Sequence, residues 1–326
     1  MASIKDVAQK ARVGVGTVSR VLNGTGYVAQ TTKRKVLAAV EELNYTPNEL
    51  ARNLFRNRTG IVGVIIPSLE HPFFSSFCKE AEMELYKNGY KAMVCNTIEV
   101  SSREQDYLDM LQRNMVDGII TGAHSLDDSV YQKIGKPIVA LDRDMGPSIP
   151  VIHSDHVQGG RMAAEKLISN GCKNIIQFTG ASVVKSPSME RHDIFSQMVR
   201  AQGIHLITVE TAWNAFTFEY FYQTMRVNLE RYPDIDGIFT MDIPAVCCCD
   251  ILQDMGRSVP QDVRIVAYDG TYLVLTSRPT ITVVRQDISL LAKACVKTLL
   301  KRINGDNDFP HRQVYSVEMQ DGGSTL

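Results

Sequence analysis

From Ile61 onward the chain alternates short apolar runs with amphipathic stretches of helical length, and no other feature limits its fold as tightly. The apolar runs are Ile61–Ile66, Lys91–Cys95, Gly118–Thr121, Pro137–Leu141, Asn174–Thr179, His205–Val209, Gly237–Thr240 and Val263–Ala267. Between them lie stretches of helical length at Phe73–Asn88, Glu104–Arg113, Gly159–Asn170, Met189–Gln202, Phe216–Tyr232, Pro244–Met255 and Ile288–Asn304. Strands apolar on both faces and separated by helices build right-handed βαβ units, so the fold class is α/β with parallel sheets. Eight such strands exceed what one small sheet needs. The rhythm breaks at Met145–Pro150, which holds Gly146, Pro147 and Pro150, and this suggests a crossing into a second lobe. The last helix and a strand at Gln313–Glu318 are placed to return to the first lobe. The expected division is lobe 1 at about 61–150 and 288–320 and lobe 2 at about 151–287, both inside an effector-binding and dimerisation core spanning 61–326. Two lobes joined by several crossovers leave a cleft that can close on a ligand.

The first 60 residues follow a different pattern. They carry ten Lys and Arg against four Asp and Glu, a net +6, while residues 61–326 carry 25 against 32, a net −7. The overall formal charge of −1 hides a small basic module ahead of a larger acidic one. Ile4, Val7, Ala8 and Ala11 fall at i, i+3, i+4, i+7 spacing. Val18, Val21 and Leu22 supply a second helical face after a break at Arg12–Gly14, and Val36, Val40 and Leu43 a third. Helices this short are not stable singly, so the three must pack on one another as a mini-domain over residues 1–46. Residues 47–60 hold one or two helical turns between Pro47 and Gly60, a linker expected to order when something binds it.

Other classes are disfavoured. The chain has no apolar run near the roughly 20 residues that span a bilayer and no apolar signal core at its start, so no membrane partner and a cytoplasmic location are expected. Seven cysteines without repeated C-x-x-C spacing, three of them contiguous at Cys247–Cys249, read as buried thiols, and no metal site is expected. No nucleophile–base spacing or cofactor loop marks an enzyme, so neither catalytic residues nor a cofactor are assigned. Gly14-Val-Gly16-Thr-Val-Ser19 is half a dinucleotide fingerprint, but no strand precedes it.

Ile4–Ala8, Gly16–Asn23, Leu43–Asn48 and Ala51–Leu54, in that order, resemble the headpiece of the lactose-repressor (LacI-type) family of transcriptional regulators. That resemblance implies a helix-turn-helix whose second helix enters the major groove of double-stranded operator DNA. Val15, Gly16 and Arg20 lie on its exposed side. Arg20 can bond both acceptors of a guanine, which discriminates by about 1–3 kcal/mol. Val15 offers apolar contact only and Gly16 no side chain. Lys5, Thr17, Ser19, Asn23 and Tyr45 are placed as phosphate contacts, which set register. The family uses the linker as a hinge helix in the minor groove, with Leu54 at the position of the wedging leucine, Ala51 small enough for a symmetry mate to approach, and Arg52 near the backbone. Two departures stand out: Gly14 and Ala29 occupy the caps of the second and third helices, where the family favours hydroxyl residues.

Residues 61–320 resemble the periplasmic sugar-binding-protein fold that the family carries as its core, and the stretches Glu84–Cys95 and Ala140–Ala164 look most like sucrose-operon repressors. The resemblance implies a small sugar or phosphosugar effector. Trp213 stands where the family puts an aromatic ring, Arg191 where it has a fork donor and Asp269 where it has a carboxylate for ligand hydroxyls. Phe73, Phe74 and His124 match cleft positions on the first lobe. Asp242 reads as a helix N-cap, with ligand contact as the alternative; Met241 and Ile194 depart from a common polar residue and a common glycine. The reading is a homodimeric, sugar-controlled repressor. A purine or other metabolite as effector is the alternative within this architecture. A transport sugar-binding protein, which would carry no headpiece, or an α/β enzyme is the alternative outside it. The tail Met319–Leu326 has no leucine heptads, so no tetramer is expected.

Overall fold

The computed structural model describes residues 2–46, 58–97, 102–123, 126–181, 186–213 and 215–326. The expected hinge residues Ala51, Arg52 and Leu54, and His124 of the cleft, lie outside the described residues. The chain divides into two compact units, Met1–Thr59 and Gly60–Leu326.

In the first unit α1 (Ile4–Ala11), α2 (Val15–Asn23) and α3 (Gln30–Glu42) enclose Val7, Ala8, Ala11, Val18, Val21, Val36 and Ala39. Ser3 and Asp6 cap α1 reciprocally: the Ser3 hydroxyl accepts from the Asp6 amide, and the Asp6 carboxylate accepts the Ser3 amide at 2.7 Å. These bonds hold the Asp6 carboxyl below its usual range. At Gly14 and Ala29 no side-chain cap forms, so the first amides of α2 and α3 have no side-chain acceptor at those positions.

The second unit contains two sheets. In the first, β1 (Ile61–Ile66), β2 (Lys91–Asn96), β3 (Gly118–Thr121), β4 (Ile138–Leu141), β5 (Val151–Ser154) and β11 (Arg312–Tyr315) run parallel in the order β11-β5-β4-β3-β1-β2. The second has the order β12-β10-β9-β8-β6-β7 and is built from β6 (Asn174–Thr179), β7 (His205–Glu210), β8 (Gly237–Phe239), β9 (Arg264–Asp269), β10 (Thr282–Gln286) and β12 (Val317–Gln320), with β12 alone antiparallel to its neighbour. Helices cover both faces of each sheet, which is why inner strands such as β1 and β4 are apolar on both faces. In the first lobe α4 (Pro72–Lys87) and α11 (Ile288–Ile303) bury Phe77, Leu85, Leu291 and Leu299 on one side. On the other, α5 (Ser102–Gln112) and α6 (Asp128–Gln132) bury Leu108, Leu111 and Tyr131. In the second lobe α7 (His156–Ser169) and α8 (Glu190–Ala201) lie on one side. On the other side lie α9 (Phe218–Arg231) and α10 (Asp242–Asp254), with Cys247, Cys248 and Cys249 all buried on α10. Burial lifts the Cys247 and Cys249 thiols to about 12 and about 11.

The parallel α/β class is as expected, but the lobes divide differently. Val151–Ser154 pairs with β4 and belongs to the first sheet, so the chain changes lobe after Ser154 and not at 150. The strand expected at Gln313–Glu318 is broken at Ser316: β11 joins the first sheet and β12 the second. β10 was hidden by its polar residues. The chain passes between lobes at Asp155, Asp287 and Ser316, and the first two aspartates accept the amides of Gln158 and Leu290, each starting the next helix.

Candidate DNA-binding face and effector cavity

On α2, Val15, Gly16 and Arg20 are exposed while Val18 and Val21 are buried, so the same short helix offers one face outward and fastens the other. Thr17, Ser19 and Asn23 are half-buried. The Asn23 amide donates to the Ser19 hydroxyl at 3.1 Å, which leaves the Ser19 O–H hydrogen available to a phosphate. Lys5 is exposed on α1, and Tyr45 packs partly against the core of the mini-domain. Tyr27, between α2 and α3, is 94% exposed, and its hydroxyl is free to donate to a phosphate. Sequence reasoning missed it because a tyrosine in a loop has no periodicity to mark it.

Between the lobes of the second unit lies a cavity of about 160 Å³. The head of α4 contributes His71, Phe73 and Phe74; the start of α8 contributes Arg191, and the ends of β9 and β10 contribute Asp269 and Gln286. Trp213, 46% exposed, stands at its rim with Phe216. His71, Phe74 and Phe216 meet edge to face or tilted at 5.4–6.3 Å between centroids, so the apolar wall is a fixed aromatic cluster.

Arg191 is buried with its guanidinium 4.3 Å over the Tyr268 ring, and its Nε donates to His192 Nε2 at 3.2 Å. The terminal nitrogens have no protein partner among the described residues, so two donor groups remain for a ligand. Asp269 accepts from Gln286 Nε2 at 2.8 Å. Burial raises its carboxyl to about 6, against the pull of Arg191 and Gln286. Its φ of 113° is one that non-glycine residues rarely adopt, a conformation that costs about 1–3 kcal/mol and persists only where the surroundings enforce it. The enforcing group is Asp242. Its buried carboxylate accepts the amides of Gly270 at 3.4 Å and Thr271 at 2.6 Å, fixing the turn that follows Asp269. Asp242 is therefore not the helix N-cap, a position held by Met241, and it is not among the residues lining the cavity. Burial and the neighbouring Asp269 push its own carboxyl well up.

Asp142, at φ 58° after β4, also lines the cavity. Burial opposes its ionisation, but His156 Nε2 at 2.8 Å together with His153 and Arg191 outweighs this and holds the carboxyl below its usual range. The other His156 nitrogen meets the Tyr268 hydroxyl at 2.9 Å. His153, stacked on His156, gives one nitrogen to the Ser154 carbonyl and accepts from Arg312 Nε at the other. Asp142, His153 and His156 could hold a metal ion by proximity alone, but every ring nitrogen already has a partner, so the trio works as a hydrogen-bonded joint. This joint is possible because α7 packs closely on Tyr268 of β9 at Gly159 and on α8 at Gly160. A Cβ on Gly159 would meet the Tyr268 ring at 2.6 Å, and one on Gly160 the Arg191 carbonyl oxygen at 2.1 Å and Ile194 at 2.5 Å.

Of the residues singled out from sequence, the structure gathers Phe73, Phe74, Arg191, Trp213 and Asp269 around one space. It adds His71, Asp142 and Gln286. A histidine just before a proline-headed helix and polar residues at strand ends were the available marks for these three.

Residues 3–48 match the family described as bacterial regulatory proteins, lacI family, and residues 164–325 match a periplasmic binding protein-like domain. The chain is 37% identical over 325 residues to a sucrose operon repressor of Streptococcus mutans, covering 99% of each. It is 36% identical over 304 residues to a ribose operon repressor of Halalkalibacterium halodurans, covering 93% of this chain and 91% of that one. Its structure is similar to that of the lac repressor dimer bound to operator and the anti-inducer ONPF, with a TM-score of 0.87 and 25% identity, over 100% of this chain and 99% of that one.

Proposed function

The chain belongs to the lacI family of bacterial regulatory proteins, and from that premise we propose that it represses transcription at an operator bound by α1–α3 and is controlled by a sugar held in the interlobe cavity. The observation that carries the effector reading is the pairing of two open donor groups on Arg191 with the Asp269 carboxylate, opposite the aromatic wall of Phe74, Phe216 and Trp213. Planar polar groups bridge sugar hydroxyls, and aromatic faces cover the apolar C–H side of the ring. On the DNA side Arg20 reads base edges, Val15 gives apolar contact, and Lys5, Thr17, Ser19, Asn23 and Tyr45 hold phosphates. Two such units on a two-fold operator require a dimer, and Leu54 is the proposed minor-groove wedge, with Ala51 and Arg52 beside it. Genes for carbohydrate uptake or catabolism are the proposed targets.

A thermal-shift screen of the full chain against sucrose, fructose, ribose, their phosphates and purines tests this. A true effector at 100 times its dissociation constant adds about 2.7 kcal/mol of stability. The same ligand is expected to change operator affinity in a fluorescence-anisotropy titration. Stabilisation by a purine with no response to any sugar would replace the sugar reading.

A further inference from the structure

Arg312 lies on β11, the edge strand of the first sheet, and reaches across the boundary between the lobes. Its Nη2 donates to Glu190 Oε1 at 2.8 Å, and Glu190 opens α8 directly before the fork donor Arg191. Its Nε donates to His153 Nε2 at 2.7 Å. That bond needs the His153 tautomer with its hydrogen on Nδ1, and the Ser154 carbonyl, 2.7 Å from Nδ1, selects it. His153 in turn stacks on His156 at 5.9 Å, and His156 holds Asp142. One guanidinium thus stands behind two polar groups of the cavity that come from different lobes, Arg191 and Asp142. Arg312 itself is not among the residues lining the cavity.

The ion pair is set apart by what it joins. Lys87–Glu84, Arg113–Asp109 and Arg226–Glu230 each lie within one helix, and Arg226–Asp254 and Arg143–Asp128 each within one lobe. Arg312–Glu190 is the one arginine–carboxylate pair that runs from lobe to lobe among the described residues. An exposed pair is usually worth little, because two long side chains lose freedom in making it. Here the Arg312 fork is already fixed by His153, so less remains to be lost. When the lobes part about Asp155, Asp287 and Ser316, Arg312 and Glu190 travel with different bodies and their bond has to break.

We propose that Arg312 is a positioning residue that latches the lobes closed through Glu190 and so sets how tightly the cavity holds a ligand that Arg312 does not touch, an inference that rests on the cavity being the effector site. A latch of this kind raises affinity by raising the fraction of the protein in its binding-competent form. Its two side chains are 45% and 37% exposed, so salt screens it. An uncharged sugar brings no charge of its own to be screened, and a salt-dependent affinity for one is therefore the signature of the latch.

The chain's one tryptophan, Trp213, stands at the rim of the cavity, so quenching of its fluorescence by acrylamide reads the opening of the cleft with no ligand present. The full chain is compared with Arg312→Gln, Glu190→Gln and the double variant, at about 0.05 and about 0.5 M salt. Quenching is expected to rise in each single variant and no further in the double, and salt is expected to raise it in the parent alone. In calorimetric titrations with sucrose, fructose and ribose, the sugar that binds the parent should bind each single variant about two- to fivefold more weakly, with no further loss in the double. Arg312→Lys, which keeps the charge but not the fork, should fall between. A purely structural role would lower the urea midpoint and leave the salt response of quenching as it is in the parent. Quenching and affinity equal to the parent's, or losses that add in the double variant, overturn the latch and leave the sugar reading standing. If none of the three sugars binds, it is the sugar reading that falls, and quenching alone decides the latch.

Discussion

Asp269 is the residue on which effector binding and pH meet. Its carboxyl is raised to about 6 by burial, and a ligand hydroxyl donates more strongly to the ionised form. Binding therefore draws the proton off: near pH 6 the complex should release a proton, and below 6 affinity should fall by up to about tenfold per pH unit. His71 stays neutral down to about 4 and does not confuse this window. In the free protein the raised pKa has the opposite sign for stability. The folded state holds the Asp269 proton more tightly than the unfolded chain, so this contribution is lost as pH rises through 6. Titrations from pH 5 to 8 in two buffers of different ionisation enthalpy measure both quantities; a flat affinity would show that the ligand does not use this carboxylate. Asp242 offers a second test, because it acts on Asp269 without lining the cavity. Asp242→Ala removes the acceptor for the Gly270 and Thr271 amides, leaving buried donors unsatisfied at about 1–3 kcal/mol, and releases the backbone that holds Asp269 at φ 113°. Effector affinity is expected to fall while operator binding by the ligand-free protein persists. Unchanged effector affinity would mean that the turn holds itself.

Among the elements, the α7–α8 contact carries the most consequence per atom. Gly160→Ala places a methyl 2.1 Å from the Arg191 carbonyl oxygen, so the helices must part, at about 1–3 kcal/mol by the usual cost of overpacking. Because the displaced backbone is that of Arg191, effector affinity should drop with the urea midpoint. A stability loss with intact affinity would separate the helix contact from the fork donor. Ile194 belongs to this contact: its side chain lies where a Cβ on Gly160 would go, so the bulk gained at 194 is accommodated by the glycine opposite. Such pairings explain what could be read from sequence. Runs such as Ile61–Ile66 and Asn174–Thr179 declared their strands because both faces are apolar. β5 did not, since half of it is His153 and Ser154, buried polar groups, and the partner of His153, Arg312, is a neighbour only in the fold. β10 was masked in the same way. Its Thr282 and Gln286 are buried against Ser324, Thr325 and Asp269, partners 17 to 43 residues away in sequence. The cavity was legible where chemistry sits at recognisable positions, as with Arg191, Trp213 and Asp269. It was illegible where a residue's role depends on what lies across the cleft, as with Asp142, His71 and Gln286.

At the scale of the molecule, the three single-residue passages at Asp155, Asp287 and Ser316 are where the lobes can move as bodies, because two of them begin helices that are capped in one lobe and follow strands of the other. The joint of Asp142 with His156 and Tyr268 ties the end of a first-lobe strand to the second lobe beside the same passages, so a ligand touching Asp269 and Phe74 bridges both lobes. If closure on the effector controls operator affinity, the effect must be mutual. Whatever factor separates the operator dissociation constants with and without effector must also separate the effector dissociation constants with and without operator. Both can be measured on one preparation, by anisotropy with labelled operator and by calorimetry with effector, at fixed salt because phosphate contacts make affinity strongly salt-dependent. Leu54→Ala then locates the coupling. Removing the proposed wedge should weaken specific operator binding, and in the absence of DNA the effector should bind as tightly as before. With the wedge gone, the two coupling factors should shrink together towards one. Undiminished coupling in that variant would place the switch outside the linker, and operator affinity equal to the parent's would remove the wedge from the mechanism.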